Sequence, residues 1–184
     1  MNRVGILTFH SANNFGALLQ AVSLQKTIME RGNVECELID YEPEFIRKDY
    51  SISPFKDNHP KAIIKSALRI PDKIKRNLKF QAFREENIVC SKQCLSENDF
   101  KNICNSLDEI VVGSDQVWNY NLTKYDMHYF LPEIDASVKK VAYAASTGGA
   151  DFSLKESNKM IQCLQEFRHI SVRESASKTA LEQR

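Results

Sequence analysis

Residues 3–9, RVGILTF, form a short apolar run, and the segment after it repeats Ala17, Leu18, Ala21, Leu24 and Ile28 at i+3 and i+4 spacing. Beyond Gly32, placed as a glycine just past a helix end, VECELIDY alternates like a strand. A strand, a helix and a strand within about 30 residues make a βαβ unit, whose crossover is right-handed in nearly all cases. This opening commits the chain to a parallel sheet.

The rest of the sequence extends that sheet. Ile110, Val111 and Val112 form a strand too apolar to face water on either side, as parallel strands usually are. KKVAYAAS at 139–146 repeats the pattern, and HISVRE supplies another short run. Helices are expected at 61–86, bent or broken at Pro71, at Glu97–Cys104 with Ser96 as cap, at about 154–167, and from SASKTALEQR onward. Residues 42–60 contain three prolines and no sustained period, which predicts an irregular surface excursion.

Composition bounds the function. With 184 residues, 42% of them hydrophobic, residues 1–184 suffice for one globular domain with a full core. A net charge of +1 lacks the cationic excess of a nucleic-acid binder. No stretch approaches the roughly 18 apolar residues of a membrane span, and the first apolar run is too short for a signal-peptide core. Five cysteines, an odd number, suit free thiols in a reducing cytoplasm. Cys36 alternates with Val34 and Leu38 as a strand core residue. Cys90, Cys94 and Cys104 match no standard zinc spacing, so no metal is expected. Residues 61–84 carry eight Lys/Arg against one acid, Asp72, beside an apolar side that includes Ile63, Ile64, Leu68, Ile74 and Leu78. Such a basic amphipathic insertion is either a solvated face or a surface for peripheral contact with anionic lipid or a charged acceptor.

Ligands of open parallel sheets bind beyond the carboxyl ends of the strands. Three of those ends lead into small, polar loops: HSANNFG after the first strand, GSDQVWN after 110–112, and STGG after 139–145. In the first, Asn13 or Asn14 can cap the helix, and Gly16 lets backbone approach a ligand or a neighbouring strand at a positive helix terminus. His10 is either a ligand contact or a hydrogen-bonded turn residue. The G-x-G-x-x-G fingerprint is missing, which removes the ribose-binding reading of Asp40. In the second loop Ser114 can cap the next turn. Asp115 places a carboxylate near Trp118, the one tryptophan, a mixture that suits a sugar's hydroxyls and C–H faces. Asp115 could equally be a helix cap. Ser146 begins a flexible third wall, and Arg173 either clamps an anion or pairs with Glu174.

The ordered set GILTFHSANNFGALLQ, LIDY, KFQAF, EIVVGSDQVWN, KVAYAAS and ISVRES resembles the polysaccharide pyruvyl transferase family, and the likeness runs from the first strand to the end of the chain. GSDQVWN is its most specific element. The resemblance implies an α/β fold, a Rossmann-like parallel sheet flanked by helices, forming one half of a GT-B-like architecture. It also implies transfer of pyruvate from phosphoenolpyruvate, as donor substrate, to a pair of sugar hydroxyls as a ketal, with no cofactor. Asn13, Asn14, Gly16, Ser114, Asp115, Trp118 and Asn119 are then expected on the acceptor wall, with Asp115 the candidate base. The acceptor is a sugar or a lipid-linked glycan, and the phosphoenolpyruvate contacts are expected from a C-terminal domain that this sequence lacks. Two other readings share the features: a GT-B glycosyltransferase half using a nucleotide sugar, and a non-catalytic glycan-binding domain.

Overall fold

The computed structural model describes residues 1–50, 68–150, 152 and 157–182. Five parallel strands form one sheet: β1 (Asn2–Leu7), β2 (Val34–Leu38), β3 (Glu109–Val112), β4 (Lys139–Ala145) and β5 (His169–Val172). Their order is β2-β1-β3-β4-β5, all neighbours parallel, which is a Rossmann-like α/β arrangement. Chain progression reverses between β1 and β3, so the crevice for ligands opens beyond those two strand ends.

The sheet separates two apolar clusters. On one face α1 (Phe15–Arg31) packs Ala21 against Val4, Ile6, Cys36, Leu38 and Val111. The larger core lies on the other face, where Ile110, Val112 and Ala142 meet residues of α4 (Glu97–Asn105), a 3-10 turn at Met127–Phe130 and α6 (Asn158–Leu164). Alternation along β3 and β4 sorts neighbouring residues between these faces. Phe100 and Cys104 of α4 are buried, and Ser96 caps that helix by accepting from the Asp99 N–H, as its sequence predicts.

Two local expectations change. Gly32 ends α1 in extended backbone (φ −160°), so the left-handed ending is not used. Within 42–60, read as irregular, Glu44–Tyr50 is a helix, α2, and it tucks Ile46 into the core. The interruption expected at Pro71 is present: Leu68 is helical, Arg69 is a turn, and Pro71 sits in the first turn of α3 (Ile70–Asn87), where its missing N–H costs nothing. The expected helix at 61–67 and the first residues of that at 154–167 lie outside the described residues. The other short elements among the described residues include α5 (Tyr120–Thr123) and α7 (Ser175–Glu182).

Candidate functional site

The loops after β1 and β3 meet at the reversal point. A cavity of about 520 Å³ opens there, lined by Asn14, Gly16 and Gln20 from the α1 end, Ser114, Asp115 and Gln116 from the β3 loop, and Arg173 after β5. Phe45, Ile46 and Tyr50 of α2, with Leu122 of α5, add an apolar wall.

Asn14 resolves the choice of cap. Its backbone is extended (φ −129°, ψ 125°) and its Oδ1 accepts from the Ala17 N–H at 3.2 Å. The first turn of α1 holds no acidic residue, so the positive end of its macrodipole is left for a ligand. A Cβ on Gly16 would come within 3.2 Å of that Asn14 oxygen, so the small residue makes room for the cap.

Gln20 joins the two sides of the crevice. Its Nε2 donates to Thr8 Oγ1 beyond β1 at 2.9 Å, while its Oε1 accepts from the Ser114 N–H at 3.2 Å and from Ser114 Oγ at 2.9 Å. The amide thereby orients the Ser114 hydroxyl and leaves its oxygen lone pairs for a ligand. Gly113 makes this loop possible. Its φ is +120°, and a Cβ there would stand 2.2 Å from the Tyr143 carbonyl oxygen.

Asp115 is half-buried on the cavity wall, with Oδ1 accepting from the Gln116 N–H at 2.7 Å. Burial raises its carboxyl above the ordinary aspartate range, against the lowering effects of the Gln116 N–H and the Arg173 charge. Arg173 lines the cavity, and of its two expected roles the pairing is present: its Nε donates to Glu174 Oε1 at 2.7 Å. One carboxylate with raised basicity, one cation, a hydroxyl and open helix amides beside an apolar wall can seat a polyhydroxylated ligand and move a proton from it.

Several expected site residues lie elsewhere. Trp118 is fully buried, with its indole N–H donating to the Tyr129 carbonyl at 2.9 Å and its ring stacked on Phe130, so it is a core residue and offers no face to a sugar. Phe9, Phe45 and Tyr50 are the aromatic groups on the cavity wall. Asn13 is also buried, because α3 claims it: its Nδ2 donates to Asn77 at 2.8 Å, its Oδ1 accepts from Arg84 at 3.0 Å, and its carbonyl accepts from Arg76 at 2.9 Å. His10 is 2% exposed, held between the Thr8 carbonyl and Asp40. It lines a separate hollow with Ser11, Arg84 and Cys90. Asn119 caps α5 by accepting from the Leu122 N–H and donates to Gln116, which places it behind the cavity lining. Ser146 is buried too, but it positions the site: its N–H donates to the Asp115 carbonyl and its own carbonyl accepts from Trp118 N–H. These backbone bonds lash the third loop to the second.

Gln20, Gln116 and the α2 residues were not singled out in the sequence. Gln20 carried a usable signal, a polar residue two turns into the helix beside the apolar Ala17, Leu18 and Ala21. Among the described residues no group of three or more His, Cys, Asp or Glu is arranged to hold a metal ion. All five cysteines are free, and burial pushes the Cys94 and Cys104 thiols up to about 12, far from thiolate ligands at neutral pH.

Among solved structures and curated proteins, none matches the chain significantly. A family model described as polysaccharide pyruvyl transferase matches residues 14–184, a span that begins at the Asn14 cap and takes in every other lining residue of the crevice except Phe9 and Ala12. With nearly the whole chain matched and a Rossmann-like sheet presenting the GSDQVWN loop at its reversal point, the chain belongs to the polysaccharide pyruvyl transferase family.

Proposed function

We propose that this chain forms the acceptor-binding unit of an enzyme that moves the enolpyruvyl part of phosphoenolpyruvate onto two hydroxyls of a sugar, as a pyruvate ketal, with release of phosphate. The observation that carries the reading is the cavity between the β1 and β3 loops, where Ser114, Asp115 and Arg173 converge in a member of this family. The acceptor is a cell-surface polysaccharide or its precursor, free or lipid-linked.

In this reading the acceptor ring lies along Phe45 and Tyr50, its hydroxyls toward Ser114, Asn14 and Asp115. Proton addition at the methylene carbon of the donor makes C2 electrophilic, and a sugar hydroxyl attacks it as Asp115 accepts the hydroxyl proton. A second hydroxyl then displaces phosphate from C2, its proton leaving with the phosphate, and the ketal closes. The raised basicity of the Asp115 carboxylate suits the base role. Among the described lining residues Arg173 is the one cation, whereas phosphoenolpyruvate brings both a carboxylate and a phosphate. The proposal therefore includes further cations, from a second domain facing this rim in a GT-B-like arrangement. Five free cysteines suit a cytoplasmic site of action.

Two measurements test the reading. Calorimetric titration with diol-bearing glycans should show binding to this chain that Ser114→Ala weakens. Phosphate release from phosphoenolpyruvate, in the presence of the acceptor and the facing domain, should disappear in Asp115→Asn while glycan binding survives. A nucleotide sugar accepted in place of phosphoenolpyruvate would convert the reading to glycosyl transfer. Glycan binding without turnover under any donor would leave a binding domain.

A further inference from the structure

Among the described residues, helix α3 is attached to the domain along one side. Phe80 is its one buried residue, and Asn77 and Arg84 hydrogen-bond to the Asn13 side chain. On the opposite side Ile74 and Leu78 are 42% and 58% exposed, and Leu68, just before the helix, is 77% exposed. A surface helix ordinarily turns its apolar stripe toward its own core. This one turns a stripe of large aliphatic residues to water, and Lys75 and Lys79 stand along its edge.

The same segment concentrates charge. From Leu68 to Lys79 the sequence places five cations, Arg69, Lys73, Lys75, Arg76 and Lys79, against Asp72, in a chain whose net charge is +1. Among the described residues none of Arg69, Lys73, Lys75 and Lys79 forms an ion pair. Charge chooses between the partners such a face could take. A second copy in a two-fold contact would oppose this cationic stripe to itself, and the centres of protein interfaces are depleted in lysine. An anionic bilayer surface satisfies both properties, since headgroup phosphates meet the lysines while the aliphatic side chains enter the acyl boundary.

We propose that the N-terminal half of α3, up to Lys79, docks this protein peripherally onto an anionic lipid surface, with Leu68, Ile74 and Leu78 inserted, Lys75 and Lys79 on headgroups, and the exposed Glu85 and Glu86 of its last turns outside the contact. Asn14 and Gly16 line both the crevice cavity and the hollow between α1 and α3, so α3 borders the cavity rim. The inference does not depend on pyruvyl transfer.

Co-sedimentation with vesicles tests it, comparing pure phosphatidylcholine with phosphatidylcholine containing one-third phosphatidylglycerol. The protein should partition onto the anionic vesicles and lose affinity as salt rises. At about fivefold for each lysine near the surface, Lys75→Ala/Lys79→Ala should weaken partitioning about 25-fold. Leu78→Gln should weaken it as well, and the charge-matched Lys26→Ala/Lys159→Ala should not. Unchanged thermal melting would show that each variant is folded. Equal binding to both vesicle types, no binding, or equal loss in the matched control would overturn the proposal. So would sedimentation velocity showing that Leu78→Gln dissolves a dimer in the absence of lipid.

Discussion

Gly113→Ala is the sharpest test of how the β3 loop is built. At φ +120° an alanine occupies backbone space that L side chains rarely adopt, a cost of about 1–3 kcal/mol. Its Cβ would also stand 2.2 Å from the Tyr143 carbonyl oxygen, a backbone atom that cannot swing aside as the end of a flexible side chain would. Overpacking of this kind costs about 1–3 kcal/mol more. A total near 4 kcal/mol, at about 3 °C for each kcal/mol in a chain of this length, lowers the melting midpoint by about 12 °C. Gly149→Ala is the control: φ is +79° there, but a Cβ meets nothing within 4 Å, so only the backbone cost applies. Circular-dichroism melts of both variants separate the two contributions. A Gly113→Ala midpoint within about 2 °C of the parent, or no lower than that of Gly149→Ala, would refute the close-approach argument.

Asp115→Asn should lower turnover by about 10²–10⁴-fold while preserving the hydrogen bond from the Gln116 N–H. Because the folded state raises this carboxyl's pKa, its charged form is a cost at neutral pH, and stability is regained as pH falls through the raised value. Asp115→Asn should therefore melt above the parent at neutral pH, with the gap closing on acidification; a variant that melts lower at neutral pH contradicts the burial reading. Arg173→Gln removes a charge that lowers the Asp115 pKa, so the acid limb of the kcat/KM profile should move to higher pH, and a fixed limb would show that the two groups do not communicate. Trp118→Phe should cost about 2–4 kcal/mol through the lost indole bond to Tyr129 and the void left in the core, yet leave acceptor affinity unchanged in titrations below the melting range. A specific loss of glycan binding in that variant would return Trp118 to the site.

The alternation of VECEL, the i+3 and i+4 spacing of Ala17 to Ile28, and the Ser96 cap were decisive on their own, because strand period, helix period and capping are set by residues within a few positions of one another. Those local periods were enough for a parallel α/β sheet, and the ordered loops at its strand ends were enough for the family. The amino-acid order alone could not decide which polar loop residues face the ligand. Asn13 and Asn14 are adjacent and chemically identical, yet one is drawn into α3 by Asn77, 64 positions away, and the other is left on the cavity wall. Trp118 and Asp115 are separated by two residues, but the aromatic cluster with Phe130 swallows the indole while the carboxylate stays half-buried at the rim. Likewise the reversal between β1 and β3, the Gln20 bridge across it and the turn of α2 toward the crevice exist only after distant segments pack. Side-chain burial and hydrogen-bond partnership are properties of what arrives from elsewhere in the chain, and a linear pattern carries no measure of that arrival.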